Sequence, residues 1–205
     1  MKITEKLTPF RKHHFGALLL LSFLVSGCSS WGVEEEKPAK ETVSESAKKV
    51  EAESLNVDDY YEVEHEGRLY VFDDAKGYLS FLSTHDAPYR LTRIGSGPNG
   101  ETVVFALRKE DKKKQSGIAG VMMYEGKLDG AEQGFYAEIQ REGRIYVFNE
   151  WKDVQDFRSV GEAPYRYTDI GAGPNGVTVV YVLNKSNKKV RPDSLIGQFR
   201  ALHSM

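Results

Sequence analysis

Side chains able to do chemistry are sparse in this 205-residue chain, and the most suggestive of them come in pairs. Tyr89-Arg90 returns as Tyr165-Arg166, and Arg68 returns as Arg144. An arginine fork can hold a carboxylate through two parallel hydrogen bonds while a neighbouring tyrosine offers a rigid stacking surface, a combination suited to a peptide, a glycan or a partner protein. The competing reading is structural, with the tyrosine in the core and the arginine paired to a local Glu or Asp. Catalytic and metal sets are not expected. His65, His85 and His203 are read as lying far apart, and zinc needs three or four ligands. No Gly-x-Ser-x-Gly elbow and no His-x-x-x-His helix occurs. The loops Gly95-Ser96-Gly97-Pro98-Asn99-Gly100 and Gly171-Ala172-Gly173-Pro174-Asn175-Gly176 could gather backbone N–H groups around a phosphate. Phosphate loops open a helix, however, whose N-terminal dipole helps hold the anion. Here Thr102-Val103-Val104 and Thr178-Val179-Val180 start strands, so both loops are expected to be hairpin turns.

The single cysteine, Cys28, belongs to a different pattern. Lys2, Lys6, Arg11 and Lys12 form a basic start, Phe15 to Val25 form an apolar run broken only by Gly16 and Ser22, and Ser26-Gly27 bring two small side chains up to the cysteine. The run is shorter than the about 20 residues that span a bilayer. The stretch Leu24-Val25-Ser26-Gly27-Cys28-Ser29-Ser30 resembles the lipobox of bacterial lipoproteins. That resemblance implies cleavage before Cys28, diacylation through its sulfur, and a mature protein held at a membrane by palmitate-type chains. Ser29 resembles the sorting context for the periplasmic face of the outer membrane, where Asp would suggest retention at the inner one.

Loss of residues 1–27 takes away four positive charges and Glu5, so the formal charge moves from -2 to -5. An acidic mature chain argues against nucleic acid as a partner, since tracking phosphates needs a basic face. Lys109, Lys112, Lys113 and Lys114 cluster, but with Glu110 and Asp111 among them they read as a solvated loop. Residues 28–57 read as a lipidated, disordered tether. Seven Glu and four Lys with one aromatic residue between 29 and 57 leave too little apolar area to offset the entropy of ordering.

A shift of 76 residues lays 61–109 on 137–185 without a gap and gives 26 identities in 49 positions, which points to an internal duplication. Each copy reads as strand, strand, helix, strand, strand. Glu66-Gly67 is a two-residue hairpin turn between 61–65 and 69–72. Asp73 or Asp74, and Asn149 in the second copy, are expected to cap short helices that end before Ala87-Pro88 and Ala163-Pro164. Residues 89–94 and 102–107 form a second hairpin whose Gly97-Pro98-Asn99-Gly100 turn suits type I closed by a G1 bulge. Val121-Met122-Met123-Tyr124 reads as an extra strand. Asp193 or Ser194 should cap a terminal helix whose Leu195, Ile196, Phe199 and Leu202 share one face, for packing on the sheet or, alternatively, for lying on a membrane.

Gly67-Arg68-Leu69-Tyr70-Val71-Phe72 with Phe81-Leu82 and Pro88-Tyr89, and the matching Gly143 to Phe148, Phe157 and Pro164-Tyr165, resemble the YHS domain, a hairpin-plus-helix module of metal-handling and redox proteins. The family's cysteines are absent, since Asp73 and Asn149 follow the Tyr-Val-Phe runs. No metal role carries over.

The expected protein is therefore an α+β lipoprotein with two tandem ββαββ repeats on antiparallel sheets. Its parts are a signal peptide (1–27), the tether (28–57), repeat 1 (58–109), a connection (110–134), repeat 2 (135–185) and a C-terminal helix (186–205). It would act without cofactor or metal as a binding or scaffolding module, lipidated at Cys28, contacting an envelope protein, peptide or glycan through Tyr89, Arg90, Tyr165, Arg166, Arg68 and Arg144. The rival reading is an enzyme, or an enzyme's accessory subunit, with its site in a groove between the copies.

Overall fold

The computed structural model describes residues 55–205; Cys28, the export signal and residues 29–54 lie outside the described residues. Eight strands build one sheet: β1 (Asp59–His65), β2 (Arg68–Phe72), β3 (Arg90–Arg93), β4 (Thr102–Ala106), β5 (Tyr136–Arg141), β6 (Arg144–Phe148), β7 (Tyr165–Asp169) and β8 (Thr178–Leu183). The helices are α1 (Ala75–Thr84), α2 (Ala119–Tyr124), α3 (Trp151–Val160) and α4 (Asp193–Leu202). The spatial order is β3-β4-β2-β1-β5-β6-β8-β7.

The local hairpins follow from turn chemistry. Glu66 and Gly67 both take positive φ, 49° and 71°, as do Glu142 and Gly143 at 53° and 68°, the geometry of a type I′ turn whose twist matches the flanking strands. Asp74, not Asp73, caps α1, accepting a hydrogen bond from the Gly77 N–H at 2.8 Å. Asn149 caps nothing: Glu150 stands at the start of α3 and makes no capping bond. Pro192 precedes α4, whose Asp193 carboxylate is taken up by Arg191 instead of by the helix N-terminus.

The expectation of antiparallel sheets is overturned, because three of the seven strand pairings, β1–β5, β2–β4 and β6–β8, are parallel. The hairpins are antiparallel, but each α1-type crossover returns the chain so that β4 slots between β3 and β2. At the seam β1 lies directly on β5, Tyr61 facing Glu138 and Glu62 facing Ile139.

Two neighbouring strands that run the same way, with the order mirrored outward from them, relate the halves by a half-turn about the strand direction. Such a rotation exchanges the faces. Accordingly Leu69 and Val71 lie on the face covered by α2 and α3, whereas their counterparts Ile145 and Val147 lie on the face covered by α1 and α4. With helices on both sides, four consecutive residues of each central strand are buried, Tyr60 to Val63 and Tyr136 to Ile139, and the in-out alternation of a one-faced sheet is lost there.

Val121 to Tyr124 is part of α2, not a strand. Four apolar residues fit either period, and a tertiary contact decides. Buried Asp73 accepts the Gly120 N–H at 3.0 Å and the Arg108 Nε–H at 3.2 Å, holding the first turn of α2. Burial pushes the Asp73 carboxyl above its ordinary range, against the opposing pull of Arg108. The apolar face of α4 packs on the sheet through Leu195, Ile196 and Phe199. Each such burial stabilises by on the order of 1.5–3 kcal/mol. Ahead of β1, Leu55 and Val57 pack against the core, and the Val57 carbonyl accepts the Ala131 N–H at 3.0 Å.

Candidate functional site

The sheet distributes the six candidate side chains of the folded part over four places. Tyr89 and Tyr165 stand just before or at the start of the two outermost strands, β3 and β7, at opposite edges of the sheet. Each lines its own groove between a helix flank, a Pro-Tyr corner and the end of β4 or β8. The groove at Tyr89, about 480 Å³, includes Lys76, Ser80, Pro88 and Leu107. The groove at Tyr165, about 530 Å³, includes the counterparts Lys152, Asp156, Pro164 and Leu183. A lysine lies over each ring: Lys112 Nζ is 5.5 Å from the Tyr89 centroid, and its counterpart Lys188 Nζ is 4.2 Å from that of Tyr165.

Arg90 and Arg166 do structural work as well. Each donates from Nη1 to the carbonyl of the residue before the proline, Ala87 at 3.2 Å and Ala163 at 2.7 Å, and so pins the strap that climbs from helix to strand. Arg166 also lines, together with Arg144, a cavity of about 620 Å³ over β6, β7 and β8. Arg68 stands apart, in a depression with Glu64, Glu101 and Asn99. Cys28 lies outside the described residues.

His65 and His85, read from the sequence as distant, stack face to face with ring centroids 4.4 Å apart and planes 8° from parallel. His85 ends α1 in the left-handed region, at φ 55°, which swings its ring back over the end of β1. The counterparts are Arg141, which pairs with Glu64 at 2.8 Å, and Gly161 at φ 80°. Among the described residues no group of three or more His, Cys, Asp or Glu side chains could hold a metal ion.

The glycine loops are turns. The Gly100 N–H reaches the Gly97 carbonyl at 3.0 Å, with Gly100 at φ 80°, as a type I turn and G1 bulge require. The Asn99 N–H is occupied by the Glu101 carboxylate at 2.8 Å. The second loop differs, since Asn175 itself is left-handed, at φ 55°.

Two residues that the sequence reading passed over form the most polar part of the interior. Glu62 on β1 and Glu138 on β5 are 1% and 0% exposed, on opposite faces. Glu62 accepts from the Tyr60 hydroxyl at 2.5 Å and pairs with Arg158 Nε at 2.8 Å. Glu138 accepts from the hydroxyls of Tyr78 and Tyr136, both at 2.5 Å, and faces His203 Nε2 at 3.0 Å. Burial first, and the carboxylate second, hold the Tyr60, Tyr78 and Tyr136 hydroxyls well above the ordinary tyrosine range. A carboxylate, an imidazole and two phenols could serve acid-base chemistry, but this set is sealed, with the His203 side chain only 3% exposed. Its signal in the sequence is Tyr-x-Glu within a strand, at the shared offset of 76.

The seam between the halves, where the rival enzyme reading puts a groove, is the β1–β5 backbone ladder. Among the described residues no helix is long and apolar enough to cross a membrane. Comparison with protein-family models, with curated proteins and with solved structures yields no match in any of the three.

Proposed function

We propose that this chain is a lipid-anchored protein of the bacterial envelope that binds and does not catalyse, built on a duplicated ββαββ unit that presents one Pro-Tyr groove twice. The observation that carries the reading is the recurrence of that groove. Positions 76 apart line both copies, down to the lysine over the tyrosine ring. Elements recur at the same offset, β2 and α1 falling on β6 and α3 residue for residue. An apolar slot with a rigid aromatic at one end and mixed charge along its rim suits an extended peptide segment of a partner protein. Two equivalent slots on one body make the binding bivalent, so avidity exceeds the affinity of either slot. The anchor rests on the pattern around Cys28, and Ser29 favours the outer membrane.

Affinity capture from the organism's own solubilised envelope tests this reading, using the lipidated protein beside Tyr89→Ala, Tyr165→Ala and the double variant. The expected result is one partner, partly retained by each single variant and lost by the double variant at unchanged melting temperature. Equal retention by all four proteins would refute the groove reading. Intact-mass analysis of the same wild-type preparation should find an acylated chain beginning at Cys28, and a lipid-free mass would refute the anchor.

A further inference from the structure

The cavity that Arg144 and Arg166 share lies in the second half, and its charges are arranged unlike those of the first. Two cations, Arg144 and Arg166, and two anions, Glu142 and Glu162, line it. Among the described residues none of the four takes an ion-pair partner within 4.0 Å. Opposite charges thus line one space of about 620 Å³ without pairing, and that volume is within the range of small-molecule sites.

The floor sets the spacing of the two arginines. On β8, Arg144 sits beside Thr178 and Arg166 beside Val182. Four residues of strand place their backbones about 13 Å apart along the sheet, on either side of β8. Thr168, Thr178 and Tyr146 are also part of the lining.

In the first half three of the four counterpart groups, Glu66, Asp86 and Arg90, already have a partner, while Arg68 has none within 4.0 Å among the described residues. Arg90 faces Asp86 at 3.9 Å, and Glu66 faces His65 at 3.9 Å, with His65 stacked on His85. Where His85 carries that ring, the second half has Gly161, and a Cβ placed there meets nothing within 4 Å. The first half engages three of its four charges locally, while the second leaves all four along the cavity.

We infer that the Arg144–Arg166 cavity binds a small zwitterion, a short peptide with both ends free, its carboxylate on the guanidiniums and its ammonium on Glu142 and Glu162. The Tyr165 groove shares Glu162 and Ala163 with this cavity, but Glu142 and Arg144 line the cavity and not that groove, so the two sites are tested separately.

The test is a melting-temperature and calorimetric titration of the full chain with dialanine, N-acetyl-dialanine, dialanine amide and acetate. Free dialanine is expected to stabilise saturably, and blocking either end should weaken binding about tenfold, the worth of one charge-assisted hydrogen-bonded contact. Arg144→Gln and Glu142→Gln should each weaken free dialanine about tenfold as well. Each should be nearly indifferent to the ligand blocked at the end it holds. Gly161→His, which returns the first half's residue, should abolish binding. Should that variant fold poorly, the two Gln variants decide alone. Acetate binding as tightly as dialanine, or no saturable effect of free dialanine at millimolar concentration, would overturn the inference.

Discussion

Glu62 and Glu138 occupy matching places on the two central strands, each two residues past a tyrosine, Tyr60 and Tyr136, yet their charges are compensated differently. Glu62 takes its cation from the helix that crosses its own face, Arg158 of α3. The counterpart of Arg158 in α1 is Leu82, so Glu138 draws instead on Tyr78 of α1 and on His203, just beyond α4. A buried carboxylate without compensation costs several kcal/mol, and the two faces meet that demand with an ion pair on one side and a hydrogen-bond cluster on the other. Two halves related by a half-turn thus pose the same problem and meet it in different ways, as they do again at His85 and Gly161.

The largest effect expected from this comparison is alkaline. Tyr60 beside Glu62, and Tyr78 and Tyr136 beside Glu138, have hydroxyls raised above the ordinary value of 10.0 by burial and by the carboxylate. A raised folded-state value lends stability that is complete below pH 10 and is lost as pH climbs above it. Each such hydroxyl should cost about 1.4 kcal/mol per pH unit beyond 10, roughly 4 kcal/mol per unit for the three together. Absorbance at 295 nm should show these tyrosines ionising in one step with the loss of circular dichroism. Smooth ionisation near pH 10 in an intact fold would break the account of both clusters at once.

Next in size is the contrast between the compensating groups. Arg158→Ala strands a buried carboxylate and should cost about 3–5 kcal/mol. His203→Ala leaves Glu138 with two hydroxyl donors and should cost about 1–2 kcal/mol. Urea midpoints at unchanged slope measure both, and equal losses would erase the distinction.

The glycine loops give the smallest effects. Gly100→Ala and Gly176→Ala, at φ 80° and 77°, should each cost about 1 kcal/mol. Asn175→Gly should stabilise by a few tenths of a kcal/mol, or about 1 kcal/mol at most, because Asn175 is left-handed, whereas Asn99→Gly should not. A gain at Asn99 in thermal unfolding would show that the two turns share one geometry after all.

What is legible in the sequence is what lies close along the chain. Glu66-Gly67, Gly97-Pro98-Asn99-Gly100 and Asp74 act within a few residues, and the hairpins and α1 follow from them. The β1–β5 pairing does not, because register between strands 76 residues apart depends on which apolar faces meet, and strands buried on both faces carry no alternation to reveal it. Val121 to Tyr124 is ambiguous in period, and only the Asp73 contact with Gly120 makes it helical. Of the candidate site, the tyrosines and arginines are legible as a duplicated set. Their division into paired grooves and one cavity is not, since it turns on the difference between His85 and Gly161, which says little until the straps are folded over the sheet.

The half-turn that relates the halves runs along the strands, and the chain enters the sheet at one end of that axis. Asp59, Tyr89 and Tyr165 all lie at this end, while the Gly-Pro-Asn-Gly turns lie at the other. Both Pro-Tyr grooves therefore open on one rim of the sheet, the rim at which β1 begins. A single elongated partner laid along that rim would meet both slots from one side, while the blunt glycine-tipped rim faces the opposite way.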